Sequence, residues 1–207
     1  MAEINTSLIR DLREKTGAGM MDCKKALQES EGDIGKAVEW LRKKGMSSAA
    51  KRAGRAASEG VVESYIHSNG KLGVLLEVNC ETDFVARTPE FQEFVKDIAL
   101  HIAAEAPQYL VREEVPEAEI ARERDIARTA AKESGKPDNV LDKIVDGKVE
   151  KFFQEVCLME QKFFRGGQQT LLEMVTQKGA TMGENIKVSR FARYVLGETA
   201  SSEPEQE

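Results

Sequence analysis

Apolar positions recur with a helical period through the first part of the chain. Between residues 7 and 15, Leu8, Ile9 and Leu12 share one face, and Thr16-Gly17-Ala18-Gly19 then stops the helix, because glycine enters positive φ at little cost. A second helix over 20–30 places Met20, Cys23 and Leu27 on one side, and Glu31-Gly32 ends it. Asp33 is a favourable N-cap for a third, in which Ile34, Ala37, Val38 and Leu41 follow i, i+3, i+4, i+7 up to Gly45. Three helices within residues 1–45 make a bundle near the lower size limit for independent folding.

The period then switches to that of strands. Residues 61–67 and 72–78 are β-rich runs flanking Asn69-Gly70, a hairpin signal because both residues tolerate positive φ. Thr88-Pro89-Glu90 supplies an N-cap, an N1 proline and an acid for a helix whose Phe91, Phe94, Val95, Ile98 and Ile102 form its buried face against the hairpin sheet. Further helices are expected over 117–134, 139–164 and 168–177, with a late strand over 186–196. In the 139–164 segment, Val145, Val149, Phe152, Val156, Met159 and Phe163 alternate spacings of four and three, which suits an antiparallel neighbour or a partner chain. Gly147 weakens that helix by about 1 kcal/mol relative to Ala, or marks a break in it. The fold class is therefore α+β: a three-helix module over 1–45, a linker over 46–58, a core of antiparallel strands packed with helices over 59–197, and a disordered acidic tail over 198–207.

Composition adjusts this picture in two places. The 207 residues are 41% hydrophobic and 32% charged, with 5 Pro and 16 Gly, so a disordered or low-complexity chain is excluded. The net charge of −6 gives no overall field for collecting nucleic acid, yet it is an average over unlike parts. Residues 1–58 hold 12 basic and 8 acidic groups, and the remainder holds 18 and 28. From Arg42 to Ser58 basic residues alternate with Ser, Ala and Gly and no acid interrupts them, as expected for a solvated linker or helix. Cys23, Cys80 and Cys157 are far apart without CxxC spacing, which favours reduced thiols. No stretch approaches the roughly 20 apolar residues of a membrane helix, and the N-terminus lacks the pattern of a secretory signal; a cytoplasmic location is the expectation.

Catalytic chemistry has no candidate site. Cys80 could be paired with His67 or His101 as nucleophile and base, but no local motif places either imidazole. Phosphate-loop, dinucleotide, zinc-protease and serine-hydrolase motifs are lacking, so no catalytic residue, cofactor or metal ligand is assigned. The informative stretch is Glu77-Val78-Asn79-Cys80-Glu81-Thr82-Asp83-Phe84-Val85, between a strand and the Thr88 cap. Position alone leaves two alternatives. Phe84 and Val85 fold back into the core while Asp83 caps a turn, or Phe84 is an exposed wedge beside a carboxylate, a hot spot for a protein partner.

Two motifs carry a family resemblance. The run from Leu12 through Thr16-Gly17-Ala18-Gly19-Met20-Met21-Asp22-Cys23 to Leu27 resembles the N-terminal signature of the elongation factor Ts family, and Glu77 to Val85 resembles its second signature. Weaker similarity covers almost the whole chain. The resemblance implies that the three helices form a ubiquitin-associated-like module. It also implies a non-enzymatic guanine-nucleotide exchange factor for the translational GTPase elongation factor Tu. By motif match, Asp83 and Phe84 would intrude near the magnesium site of the GTPase, framed by Thr82 and Val85, and Leu12 and Met20 are further candidate contacts from the small module. The core would reach the third domain of the GTPase through residues that no motif identifies. Two departures stand out: Gln161-Lys162-Phe163 precedes Arg165-Gly166-Gly167 where Gln-Pro-Phe is expected, and 207 residues leave room for a single core copy. Shorter members are expected to compensate by pairing, which suggests a homodimer. The competing readings are a generic adaptor built on the three-helix module and a ribosome- or RNA-associated protein using the Arg42-to-Arg55 stretch.

Overall fold

The computed structural model describes residues 5–135, 137–165 and 168–198. They form two compact units, one of Met1–Val61, Val78–Gln92 and Glu173–Val188, the other of Val62–Glu77, Glu93–Leu172 and Ser189–Glu207. The starts of the first and third helices follow from side-chain capping. Helix α1 (Thr6–Thr16) starts at Asn5, whose side chain accepts from the Leu8 amide, and ends at Gly17 with φ +64°. Helix α2 (Met20–Glu29) follows, and α3 (Ile34–Arg52) starts where the Asp33 carboxylate accepts the Lys36 amide. Ile9, Leu12, Cys23, Ala26, Leu27 and Ala37 form the core of this bundle.

The third helix departs from expectation, since it runs through Gly45 to Arg52 and takes up much of the expected 46–58 linker. One glycine costs about 1 kcal/mol in a helix interior, and ion pairs anchor the turn before it: Lys44 to Asp22, and Arg42 to Glu173. The basic residues of this segment are thus in part ion-paired.

Strands β1 (Glu59–Ile66) and β2 (Leu72–Cys80) form the expected hairpin, and β3 (Lys187–Val195) pairs with β2 to give the order β1-β2-β3. The Leu196 amide donates to the Lys71 carbonyl (2.8 Å), so the end of β3 lies beside the start of β2 and the pairing is antiparallel. In the hairpin turn Gly70 alone takes positive φ (+68°), and the Asn69 side chain accepts from the Lys71 amide (3.0 Å). Gly60 is demanded by the sheet: at φ +143°, a Cβ there would lie 2.2 Å from the Val78 carbonyl oxygen.

A short helix α4 (Asp83–Ala86) precedes α5 (Pro89–Glu105), whose Phe91, Phe94, Val95, Ile98 and Ile102 are all buried. Helices α6 (Glu117–Glu133) and α7 (Asp138–Val156) pair antiparallel, as Arg124 meets Asp146 (2.9 Å) and Arg128 meets Asp142 (3.0 Å). The seam thus finds its neighbour inside the chain, through Leu141, Val145, Val149, Phe153 and Val156, with Phe152 only partly buried. Gly147 lies within the continuous helix, which ends at Val156 instead of 164. There the Gln108 and Tyr109 amides claim the Val156 carbonyl, and Cys157 bridges to Tyr109. The next helix, α8 (Leu171–Met182), starts later than expected because Thr170 first bridges to Lys162 and the Gln169 carbonyl accepts the Phe163 amide. Residues 199–207, most of the expected acidic tail, and Gly166-Gly167 lie outside the described residues.

His101 is fully buried on α5. The Phe164 amide donates to its Nδ1 (3.3 Å), which leaves Nε2 to donate to Gln161 Oε1 (2.9 Å). Gln161 in turn donates to the Glu155 carbonyl (2.6 Å), and Phe163 stacks on the imidazole.

Two stability predictions follow from these positions. Gly60→Ala should lose about 2 kcal/mol or more in chemical denaturation, since the side chain meets both a backbone collision and an unfavourable φ. Burial lowers the His101 pKa, so below the ordinary value of about 6.5 the unfolded chain binds the extra proton and stability falls with pH. His101→Gln should flatten that fall in a melting series from pH 7.5 to 5.5.

Candidate functional site

The loop after β2 is a single helical turn between two threonine caps. Thr82 is the N-cap of α4, with Oγ1 accepting from the Val85 amide (3.4 Å). Thr88 closes the loop, donating to the Val85 carbonyl (2.8 Å) and accepting from the Phe91 amide (3.2 Å). Successive residues of a helical turn are 100° apart, so a turn that buries Ala86 must point Phe84 away from it. Accordingly Ala86 is 6% exposed and Phe84 79%. Val85 is half-buried. Asp83 does not cap the turn; it sits in its first position, favourable for a carboxylate, and pairs with Arg87 (2.9 Å). Of the two alternatives for Phe84, the exposed one is observed.

The loop is also held from a distance. Glu184 accepts from the amides of Glu81 (3.0 Å) and Thr82 (3.3 Å) and from the Thr82 hydroxyl (2.5 Å). Glu81 accepts from the Asn185 amide (2.6 Å), and Asn185 Nδ2 donates to the Arg55 carbonyl (3.0 Å). These contacts were not read from the sequence, because Glu184 lies about a hundred residues from its partners and resembles any surface acid.

The other expected contacts divide. Met20 is 40% exposed at the start of α2, and its neighbour Met21, not singled out from the sequence, is 75% exposed. Leu12 is 0% exposed in the bundle core. Its apolar i, i+3 spacing with Ile9 packs inside the three-helix bundle. The turn between α1 and α2 belongs to the same compact unit as the Thr82–Val85 loop, and α8 touches it: Gln177 Nε2 donates to the Thr16 carbonyl and Thr181 to that of Gly17.

Each group of the candidate nucleophile-base pairing has a partner within its own compact unit. The Cys80 thiol donates to the Thr82 carbonyl (3.2 Å), and burial raises its pKa. His67 Nδ1 pairs with the Tyr65 hydroxyl (2.9 Å), and His101 is committed to Gln161 and Phe164. Burial likewise pushes the Cys157 thiol up to about 11. All three cysteines are buried and free. Among the described residues no cluster of His, Cys, Asp and Glu could hold a metal ion, and no helix is long and apolar enough to cross a membrane.

Comparison with known proteins places this geometry in a family. The family model described as Elongation factor TS matches residues 12–198. The chain is 56% identical over 195 residues to elongation factor Ts of Geobacter sulfurreducens, covering 94% of this chain and 90% of that protein. It is 54% identical over 202 residues to elongation factor Ts of Carboxydothermus hydrogenoformans, covering 98% and 93%. For elongation factor Ts of Anaeromyxobacter sp. (strain K) the figures are 58% over 198 residues, covering 96% and 90%. With the match extending through both the glycine turn and the exposed phenylalanine loop, the chain belongs to the elongation factor Ts family, the non-catalytic nucleotide-exchange factors of translation elongation.

Proposed function

We propose that this protein accelerates GDP release from elongation factor Tu in the cytoplasm by pressing the Asp83–Phe84 turn against the nucleotide domain, near the magnesium site. The observation that carries the reading is Phe84, an exposed aromatic on a capped turn in the second family signature. A GTPase holds GDP partly through magnesium bridging phosphate oxygens and side chains, so displacing the elements around the ion weakens nucleotide binding without competition for the base. Met20 and Met21 supply a second apolar contact from the same compact unit.

Two chains pair through the outer face of the sheet. Alternation and register put Val62, Ile66, Leu75 and Tyr194 on one face, where each is at least half exposed. Gly73 adds no bulk between Ile66 and Tyr194. Four exposed apolar residues on a continuous sheet, beside the Glu77–Arg190 ion pair, support association with an identical face.

In a fluorescent GDP-release assay on elongation factor Tu, the intact chain should accelerate release. Phe84→Ala should lower the efficiency by about ten- to a hundred-fold, the equivalent of roughly 1.5 to 3 kcal/mol of side-chain burial, and Asp83→Ala should also reduce it. No acceleration by the intact chain would overturn the functional reading. Light scattering should give twice the monomer mass, and Leu75→Glu should reduce it to that of one chain; a wild-type monomer across the working range would rule out pairing.

A further inference from the structure

We propose that Glu184 is a positioning residue for exchange, setting the Asp83–Phe84 turn in its binding conformation before the GTPase arrives; this deepens the reading above and rests on it. A single helical turn of four residues has almost no stability of its own. Phe84 contributes little to holding it, because it is 79% exposed. Glu184 supplies what the turn lacks. One carboxylate takes three donors from two consecutive residues, the Glu81 amide, the Thr82 amide and the Thr82 hydroxyl. A threonine hydroxyl has one proton and two lone pairs. With its proton committed to Glu184, Thr82 Oγ1 presents a lone pair to the Val85 amide, so the distant acid orients the cap of α4.

Glu184 is itself placed by a helix terminus. Gly183 takes φ +76° after α8, and the Glu184 amide donates back to the Gly179 carbonyl (3.1 Å), the six-to-one bond of a Schellman cap. A Cβ at Gly179 would come within 2.9 Å of the Glu184 carbonyl oxygen, so residue 179 must be small for the turn to close. The brace is reciprocal, because Glu81 accepts from the next amide along, that of Asn185 (2.6 Å). Each strand of this contact therefore offers a carboxylate to the backbone of the other. The same helix reaches the glycine turn between α1 and α2 through Gln177 and Thr181, so α8 and the cap that follows it together contact both family signatures.

If the turn is preset, the fraction of molecules ready to bind is high, and the apparent affinity is not reduced by an ordering step. Removing the carboxylate leaves the fold's buried residues in place and lowers that fraction.

The test uses the full chain in the fluorescent GDP-release assay, with Glu184→Ala, Glu184→Gln, Phe84→Ala and the double variant Phe84→Ala/Glu184→Ala. Hydrogen exchange at the Glu81 and Thr82 amides is followed in parallel. Glu184→Ala should lower exchange efficiency about ten-fold, in the range expected for losing charge-assisted hydrogen bonds, and should speed amide exchange at Glu81 and Thr82 by a similar factor. Glu184→Gln, which keeps the shape and one acceptor oxygen, should fall between it and the wild type, and it carries the comparison if the alanine variant does not fold. The double variant should be no worse than Phe84→Ala, because a residue acting through the turn has nothing to position once the phenylalanine is gone. Full activity of Glu184→Ala or Glu184→Gln beside an impaired Phe84→Ala would overturn the positioning role alone. So would a loss that adds in full on the Phe84→Ala background. Full activity of both Phe84→Ala and Asp83→Ala would overturn the loop reading and this inference with it.

Discussion

A turn that leaves its phenylalanine exposed cannot be held by burying that phenylalanine. At Asp83–Ala86 the driving force that orders most of the chain is therefore withheld, and polar contacts take its place. Glu184, Thr82 and Thr88 do so with directional hydrogen bonds to the backbone of the loop. Such bonds contribute only about 1 kcal/mol each in net stability, somewhat more when charged, but they select one backbone conformation, which is what an exposed site requires. Much of the surrounding architecture can be understood as support for this arrangement: β2 delivers the chain to the loop, α5 removes it, and the cap of α8 brings Glu184 to bear on it.

Exchange is a coupling between two ligands on one GTPase. Whatever ratio the factor takes from GDP affinity, GDP takes from the affinity for the factor. Burial of one phenylalanine corresponds to roughly 1.5 to 3 kcal/mol, so a larger coupling needs further contacts. The exposed Met20 and Met21 lie in the same compact unit as the loop, and α8 contacts the turn that precedes them. In the proposed reading, a rigid arrangement of the two patches lets each bind without a separate ordering cost.

The helices and strands were legible where side-chain period and capping agreed. Asp33, Thr88-Pro89 and the Asn69-Gly70 turn mark real element boundaries, and Phe91 through Ile102 are buried as their spacing required. The misreadings have a shared cause, which is that long-range partners outweigh local preferences. Helix α3 runs past Gly45, and ion pairs of Arg42 to Glu173 and Lys44 to Asp22 anchor the turn before that glycine. Helix α7 stopped early because distant amides compete for the Val156 carbonyl. Leu12 shows the limit of a local pattern in another way: its spacing marks an apolar face, and only the tertiary structure shows that it is fully buried in the bundle core.

Sequence by itself determined most of the elements, the α+β class and the family, and singled out the Glu77–Val85 stretch, because each is encoded in residues close together along the chain. Helical period, caps and contiguous signatures need no tertiary information to be seen. Whether Phe84 would turn inward or outward was decided only in three dimensions, by the burial of Ala86 and the grip of Glu184 on Thr82. No local pattern announces that grip: a carboxylate beside a glycine cap is an ordinary surface feature until folding brings it within 3.0 Å of an amide a hundred residues away.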